Sequence, residues 1–358
     1  MRATVMRGGR LVVDDMADPA PGPGQVLVRT LACGICGSDL HALRHGDRMV
    51  EMGREAVAAD ADAAAFTPTL MDLDRDVVMG HEFAAEVVEL GADTFNCHVG
   101  DVVVSIPIVL DVTGVHPVGY SNVFPGGYGE LMVLSDPLAL EVPNGLDARQ
   151  AALTEPMAVG VHAVNRSGIS AGSSAVVLGC GPVGLAVIAA LRLHGVESIV
   201  ATDFSAGRRR LATIMGAPEV VDPRQEQAID AWRRIGGFKE SGPLTIFEAV
   251  GVPGMLDDAM RMAPRDAHIM VVGVCMEPDT IRPMRGVARE LTIGFALGYD
   301  PMEFADTLRR IAEGELDVAP LITGSVPVEG VAGAFDALAD PDLHAKILVE
   351  PGASSAPL

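Results

Sequence analysis

The sequence predicts an α/β protein of two domains, one built on a parallel β-sheet covered by helices and the other mostly β-structure. Three observations lead to this prediction. The 358 residues are too many for one ordinary hydrophobic core. Short β-like runs separated by glycine and proline clusters fill residues 1 to about 145. From about residue 150, apolar strands alternate with helical segments, which is the pattern of a parallel sheet.

The first domain is predicted over residues 1–147. Its β-like runs are QVLVRT, FAAEVVELG and DVVVSIP, and its turns include PAPGPGQ and FPGGYG. The second domain is predicted over 148–296, with strands AVVLG, SIVATD, EVVD, TIFEAV and HIMVVGV and helices PVGLAVIAALRLHG and AGRRRLATIMG. The last segment, 297–358, has the helical run PMEFADTLRRIAEG and the apolar ending AKILVE. We assign it to the first domain, although periodicity alone does not force that choice.

The composition limits the partners and the compartment. The chain has 26 Lys and Arg residues against 48 Asp and Glu residues, a formal net charge of −22. Such a surface repels nucleic acid backbones and anionic lipid headgroups, so we expect no nucleic acid and no membrane partner. The first residues lack a secretory pattern, and no run of about 18 apolar residues occurs. We expect a cytoplasmic protein, because its five cysteines show no disulfide framework: Cys33, Cys36, Cys97, Cys180 and Cys275.

A glycine-rich turn predicts a dinucleotide site in the second domain. Gly179, Gly181 and Gly184 have the G-x-G-x-x-G spacing after a predicted strand and at the start of a predicted helix. Pro182 and Val183 lie within the same turn. The first glycine permits the tight turn, the second lets the backbone approach a pyrophosphate, and the third lets helix and strand pack closely. This context predicts a Rossmann dinucleotide-binding domain.

The acidic residue that follows indicates which cofactor binds. Asp203 stands 19 residues after Gly184, at the end of the second predicted strand, where a carboxylate can bind both ribose hydroxyls and repel a 2′-phosphate. We therefore expect NAD rather than NADP. Arg208, with the two arginines after it, keeps NADP open, because an arginine cluster can accommodate that phosphate. The alternative is a glycine-rich turn with a capping aspartate and no cofactor.

Cysteine, histidine and glutamate residues recur in three short segments. Residues 33–41 read CGICGSDLH, residues 80–82 read GHE, and residues 154–156 read TEP. Thiolate, imidazole and carboxylate groups together can form a catalytic zinc site, in which three protein ligands leave one position for water or substrate. Zinc in such a site acts as a Lewis acid.

These segments and the glycine turn, in this order, resemble the zinc-containing medium-chain dehydrogenase/reductase family, which includes alcohol, polyol and threonine dehydrogenases. The resemblance covers nearly the whole chain. It implies a GroES-like catalytic domain beside the Rossmann domain, and a zinc-dependent, NAD-linked alcohol dehydrogenase. The implied substrate is a secondary alcohol, with bulky apolar alcohols included, and the product is a ketone. The resemblance also implies a homodimer or homotetramer, joined through the region near residues 268–296.

Carried over residue by residue, the resemblance implies a set of zinc ligands. Cys36 and His81 would be ligands, Glu155 would take the third position, and Glu82 would be an exchangeable ligand or a near neighbour. Asp39 would orient the His81 imidazole, since ligating histidines usually donate their other N–H.

The same resemblance implies a proton relay. Ser38 and His41 would carry the alcohol proton away through the Ser38 hydroxyl, the cofactor ribose and the His41 ring, while the carbon-bound hydrogen passes to nicotinamide as hydride.

The chain departs from the family in two places. Many relatives hold a second, structural zinc with four closely spaced cysteines, but only Cys97 lies in the corresponding loop, residues 96–123. We therefore expect one zinc per subunit and ordinary packing of that loop. The other departure is a long insert, residues 42–79. It is either a surface excursion or oligomer contact, or a lid for an apolar substrate, since it carries Met49, Val50, Met52, Phe66, Leu70 and Met71.

Two other functions remain open from the residues alone. One is a zinc-free quinone or enone reductase of the same superfamily, which would lack the ligand set. The other is a non-catalytic nucleotide-binding protein that kept the fold. The remaining cysteines and histidines are expected to be packing or surface residues, namely Cys33, Cys180, His45, His98, His116 and His268.

Overall fold

The computed structural model describes residues 1–59, 69–237 and 243–353. Inter-residue contacts divide the chain into two compact units. Unit 1 comprises Met1–Glu155, Ile322–Ala339 and Lys346–Leu358, and unit 2 comprises Pro156–Leu321 and Asp340–Ala345. No helix in the described ranges is long and apolar enough to span a membrane.

Residues 1–59 and 69–155 form ten strands and the first helices. These elements are β1 (Arg2–Arg7), β2 (Arg10–Asp15), β3 (Gln25–Gly34), α1 (Gly37–Ala59), β4 (Val77–Val78), β5 (Glu82–Leu90), β6 (Val102–Ser105), β7 (Ile108–Asp111), β8 (Gly114–Pro117), β9 (Leu131–Ser135), β10 (Ala139–Glu141) and α2 (Ala148–Ala151). Short 3₁₀ turns cover Asp136–Leu138 and Pro143–Gly145.

The rest of the chain alternates strands and helices before it returns to unit 1. These elements are α3 (Thr154–Ser167), β11 (Ser174–Leu178), α4 (Pro182–Leu193), β12 (Ser198–Thr202), α5 (Ala206–Ile214), β13 (Glu219–Val221), α6 (Ala228–Arg234), β14 (Thr245–Glu248), α7 (Met255–Met262), β15 (His268–Val271), α8 (Pro283–Arg289), β16 (Thr292–Phe295), α9 (Pro301–Ala312), β17 (Ile322–Val326), α10 (Val331–Ala337) and β18 (Lys346–Val349).

Unit 1 is mostly β-structure. Its main sheet has the order β10-β6-β5-β3-β18-β17, and β9 also pairs with β3. Smaller sheets are β2-β1-β4 and the hairpin β7-β8. The central strand β3 runs antiparallel to β5, β9 and β18. The buried side chains of these strands form the core, as the alternation of apolar and polar residues in the sequence predicts.

Unit 2 contains a six-stranded parallel sheet. Its strand order is β13-β12-β11-β14-β15-β16, so the order reverses between β11 and β14, as in Rossmann folds. All five residues of β11 are buried, which explains its continuous apolar run. The predicted α/β class, with a Rossmann sheet and a GroES-like β domain, is confirmed.

The contact-based units differ from the predicted domain ranges at the C-terminal return. The sequence assigns residues 297–358 to the first domain, but the chain stays in unit 2 up to Leu321 and returns to it at 340–345. The reason is local packing. Glu303 of α9 binds His162 and Asn165 of α3 at 2.7 Å each, and Ser205 Oγ donates to Asp342 at 2.6 Å. The first boundary also lies later, after Glu155 rather than residue 147.

The described part of the long insert packs partly into the core of unit 1. Helix α1 continues into the insert through a kink at His45, and the side chains of Leu73 and Leu70 lie next to Gly46 and Gly53 of this helix. Val50 and Met71 are buried, whereas Met52 and Leu70 are exposed. Met49 is partly buried against the same core, and Phe66 lies outside the described residues. A lid function for the insert stays a prediction.

Polar contacts hold the start of the loop formed by residues 96–123. The Asp136 carboxylate accepts backbone N–H groups from Phe95, Asn96 and Cys97 at 2.9–3.3 Å. Burial first, and then Asp136, raise the pKa of the Cys97 thiol to about 12. The Asp136 carboxylate therefore holds the start of this loop, in addition to the ordinary packing that the sequence predicts.

Candidate active site

Three strand ends meet at one edge of the unit 1 sheet. Strand β3 ends at Gly34, two residues before Cys36, and its antiparallel neighbours β5 and β18 begin at Glu82 and Lys346. Gly34 pairs with Glu82 on one side and with Leu348 on the other. A side chain at position 34 would place its Cβ 2.1 Å from a Glu82 carboxylate oxygen, so this position requires glycine. Antiparallel pairing thus brings together residues that are distant in sequence.

A potential metal-binding group lies at this edge. The ligand atoms of Cys36, His81 and Glu82 all lie within 4.8 Å of one another. Within residues 1–59, 69–237 and 243–353, this is the only such group of three or more histidine, cysteine or acidic residues. A thiol, an imidazole and a carboxylate are the donors that catalytic zinc sites use, so the donor set fits that metal. Glu155 lies in the first turn of α3 and is partly exposed.

A buried ion pair engages Glu82. Lys346 Nζ donates to its two carboxylate oxygens at 2.7 and 2.6 Å, and to the Ile35 carbonyl at 3.1 Å. The side chains of Lys346 and Glu82 are 3% and 1% exposed. Burial lowers the pKa of Lys346, but the carboxylate of Glu82 outweighs it, and the net pKa is raised. Lys346 therefore stays charged beside the candidate metal group.

Asp39 lies behind His81 and receives several donors. Its Oδ1 is 3.4 Å from His81 Nδ1, and the two atoms are not aligned for a hydrogen bond. Tyr128 donates to Asp39 Oδ2 at 2.6 Å, and the Cys36 backbone N–H donates to the same oxygen at 3.0 Å. Burial raises the pKa of Asp39, but the charge of His81 and these hydrogen bonds outweigh it, and the net pKa is lowered. Asp39 is therefore an anion.

Tyr120 links Asp39 to Ser38. Its hydroxyl lies 2.9 Å from Asp39 Oδ1 and 2.9 Å from Ser38 Oγ, and its ring packs against His81 with centroids 5.3 Å apart. Burial first, and then Asp39, raise the pKa values of Tyr120 and Tyr128 well above the ordinary range. Both hydroxyls therefore remain protonated and able to donate.

Helix α1 places the predicted relay residues on one face. Ser38 and His41 are three positions apart in its first turns, so their side chains lie on the same side of the helix. Burial first, and then the charges of His45 and Arg44, lower the pKa of His41. His41 is therefore neutral near pH 7 and can accept a proton.

In unit 2 the glycine turn has the geometry that its sequence predicts. Gly179 has φ +89°, which favours glycine, and Gly181 precedes helix α4, which starts at Pro182 and Val183. A Cβ at Gly184 would lie 2.0 Å from the Gly179 carbonyl oxygen, so only glycine lets helix and strand approach this closely. The start of a helix favours an anion through its first backbone N–H groups, to which Pro182 contributes none.

Asp203 and Arg208 lie beside this turn. Asp203 follows strand β12 and accepts N–H groups of Cys180 and Ser205 at 2.8 Å each. Arg208 Nη1 is 4.0 Å from Asp203 Oδ2, and its buried Nε has no hydrogen-bond partner. The structure thus brings together the predicted carboxylate, the predicted arginine and the glycine turn.

Three residues of the site were not predicted from sequence: Tyr120, Tyr128 and Lys346. The two tyrosines belong to glycine-containing loop segments, GYSNVFPGGYGE, and Lys346 to the apolar run AKILVE. A lysine at the start of an apolar strand is ordinarily solvated, and nothing in its local pattern indicates burial. The remaining cysteines are mostly buried, and His98 is exposed, whereas His116 is buried and binds Asp111 at 3.0 Å.

Comparison with known proteins gives matches over both units. The family model of the alcohol dehydrogenase GroES-like domain matches residues 22–144, and that of the zinc-binding dehydrogenase matches residues 182–313. The (R,R)-butanediol dehydrogenase of Bacillus subtilis (strain 168) is 32% identical over 352 residues, covering 95% of this chain and 96% of that protein. The sorbitol dehydrogenase of Gallus gallus is 27% identical over 349 residues, covering 94% and 92%.

Solved structures agree with these matches. The crystal structure of 2R,3R-butanediol dehydrogenase from Bacillus subtilis has a TM-score of 0.82 at 29% identity, covering 98% of this chain and 99% of that chain. A Sinorhizobium meliloti 1021 structure bound to NADP has a TM-score of 0.81 at 26% identity, with the same coverage. Because these similarities extend over nearly the whole chain, the protein is an oxidoreductase and belongs to the zinc-containing medium-chain dehydrogenase family.

Proposed function

We propose that the protein is a zinc-dependent dehydrogenase that oxidises a secondary alcohol with NAD, or reduces the corresponding ketone. The observation that carries this proposal is the convergence of the Cys36 thiol and the His81 imidazole, with a Glu82 oxygen within 4.8 Å of both and the Asp39 carboxylate behind the histidine. A carboxylate partner of a ligating histidine is typical of zinc sites. Relatives named for butanediol and sorbitol support a secondary alcohol as substrate.

We assign the third ligand position to Glu155 rather than Glu82. Both oxygens of Glu82 already accept from Lys346, and a carboxylate neutralised by an ammonium group is a weaker metal ligand. Glu155 is partly exposed and near enough to Lys346 for its charge to raise the pKa of that lysine, but its carboxylate lies outside the group of ligand atoms within 4.8 Å of one another. Cys36, His81 and Glu155 would then hold the zinc, with Glu82 beside them.

When bound, zinc supplies a Lewis acid that makes the alcohol hydroxyl easier to ionise, and NAD supplies the hydride acceptor. The residues of this chain handle the proton. Ser38 accepts it at Oγ and gives up its own, and neutral His41, on the same face of α1, accepts it for release to solvent. Alcohol and NAD⁺ thus become ketone, NADH and one proton.

We propose NAD as the cofactor because Asp203 follows the second strand of the parallel sheet. Its carboxylate is anchored by Cys180 and Ser205, and this position suits the two ribose hydroxyls. Arg208 would lie against the cofactor near the glycine turn, where its unpaired Nε can find an acceptor. A relative binds NADP, so the assignment requires a direct test.

The test of the metal proposal replaces one ligand. Cys36→Ser should lose zinc on dialysis, because a hydroxyl is a far poorer zinc ligand than a thiolate, and alcohol oxidation should nearly vanish while NADH binding persists. Cys275→Ser is the matched control, since this thiol lies in unit 2 outside the ligand group. For both proteins we measure the metal content, NADH binding by fluorescence, and turnover by absorbance at about 340 nm, the band of reduced nicotinamide.

The outcomes separate the three functions. Full activity of metal-free Cys36→Ser protein would contradict the zinc mechanism and favour a zinc-free reductase. Zinc and NADH binding without turnover of any alcohol would favour a non-catalytic nucleotide-binding protein. A panel of 2,3-butanediol, sorbitol and a bulky apolar secondary alcohol then distinguishes a polar substrate from an apolar one.

A further inference from the structure

The Asp39 carboxylate has an unusual set of neighbours for a buried anion. It is fully buried, and its Oδ1 lies 3.4 Å from His81 Nδ1. Besides His81, three hydrogen-bond donors face this carboxylate: the Tyr128 hydroxyl, the Cys36 backbone N–H and the Tyr120 hydroxyl. Each oxygen has one tyrosine donor, Tyr128 on Oδ2 and Tyr120 on Oδ1.

The two tyrosines differ in what else they contact. The Tyr128 hydroxyl is bonded to Asp39 at 2.6 Å. The Tyr120 hydroxyl has two acceptors, Asp39 Oδ1 and Ser38 Oγ, both at 2.9 Å. A phenol has a single proton, so Tyr120 can donate to only one of them at a time. Asp39 keeps its Tyr128 and backbone donors in either case.

The direction of the Tyr120 proton sets the direction of the Ser38 hydroxyl. When Tyr120 donates to Ser38, a lone pair of Oγ is occupied, and the Ser38 proton is directed toward another acceptor. When Tyr120 turns its proton to Asp39, the Tyr120 oxygen can accept from the Ser38 hydroxyl, and both lone pairs of Ser38 Oγ are open to a proton. A relay hydroxyl must do both in each turnover, accepting one proton and giving up another.

We propose that Tyr120 is a positioning residue that alternates its hydroxyl proton between Ser38 and Asp39, and so sets Ser38 as donor or acceptor in the proton relay. The inference rests on the proposed dehydrogenase function. It also implies that the Asp39 carboxylate serves both the relay and the candidate metal group, because its Oδ1 faces the Tyr120 hydroxyl and His81 Nδ1.

The matched pair Tyr120→Phe and Tyr128→Phe tests this inference. Each variant removes one hydroxyl donor from Asp39, and the phenyl ring of Tyr120→Phe retains the packing on His81. Both should weaken zinc binding by a similar factor, up to about 10-fold, measured by competition with a chromogenic chelator. Circular dichroism and the unfolding midpoint establish that each variant folds.

Only Tyr120→Phe should impair the relay. With zinc saturating, its kcat for alcohol oxidation should fall about 10-fold beyond that of Tyr128→Phe, the scale of one lost hydrogen bond, with KM little changed and a larger solvent deuterium isotope effect. In a Ser38→Ala background, the same substitution should have no further effect on kcat.

Two results would overturn the inference while the dehydrogenase proposal stands. One is equal kcat and isotope effects in the two variants of an active, zinc-loaded enzyme. The other is an undiminished Tyr120→Phe effect when Ser38 is already alanine. Absence of alcohol oxidation by zinc-loaded wild-type protein would overturn both proposals together.

Discussion

The buried ion pair of Lys346 and Glu82 can be tested quantitatively for its contribution to the free energy of unfolding. Lys346→Met removes the ammonium but keeps most of the apolar stem. Glu82 then loses two hydrogen bonds of 2.7 and 2.6 Å and stays buried without a counter-charge. Breaking a buried ion pair on one side costs about 3–5 kcal/mol. With a urea m-value of about 3 kcal/mol/M, the unfolding midpoint should fall by about 1–2 M.

The assay is urea unfolding of the metal-free protein at about pH 8, monitored by circular dichroism. The pKa of Lys346 is raised, so its stabilisation is fully present below its ordinary value of 10.5 and is lost only as pH rises through the higher folded-state pKa. The chosen pH therefore lies within the window in which the pair is intact.

Arg29→Met is the control, since Arg29 pairs with Glu86 across the same two strands, β3 and β5, at 2.9 Å but with 55% of its side chain exposed. Exposed pairs contribute little, so its midpoint should barely move. The double variant Lys346→Met with Glu82→Gln should recover part of the loss, because no unpaired charge remains. The reasoning is refuted if Lys346→Met destabilises the protein no more than Arg29→Met.

Three further predictions concern the relay, the cofactor and assembly. His41→Ala should keep its zinc but turn over alcohol about 10- to 100-fold more slowly, and its pH–rate profile should lose the fall at low pH. His45→Gln should shift that fall to higher pH, because one cause of the lowered pKa of His41 is removed. Unchanged pH–rate profiles would contradict the relay. Asp203→Ala should lower kcat/KM for NAD relative to that for NADP by a factor that corresponds to about 1–3 kcal/mol. A wild-type preference for NADP would show that the assignment of Asp203 to the ribose hydroxyls is wrong. Strand β16 is the sheet edge and exposes Phe295 at 60%, so light scattering should show a dimer or tetramer, and a monomer at micromolar concentration would remove this expectation.

The amino-acid sequence by itself determined the features that depend on local chemistry. The glycine turn is one, because backbone conformation at Gly179 and close packing at Gly184 are requirements that neighbouring residues impose. The alternation of apolar strands and helices likewise predicted the parallel sheet of unit 2. The segments containing Cys36 and His81 indicated the metal chemistry, since few other functions combine a thiol, an imidazole and carboxylates in this way.

The tertiary structure decided which distant residues complete the site. Lys346 is 311 positions from Ile35, and only the pairing of β18 with β3 brings it to the Glu82 carboxylate. Tyr120 reaches Ser38 across 82 positions from a loop without periodicity. The sequence likewise does not indicate that the chain stays in unit 2 up to Leu321 before it returns to unit 1. Periodicity indicates which face of an element is buried, but it does not indicate the partner, because antiparallel pairing and helix packing depend on the whole fold.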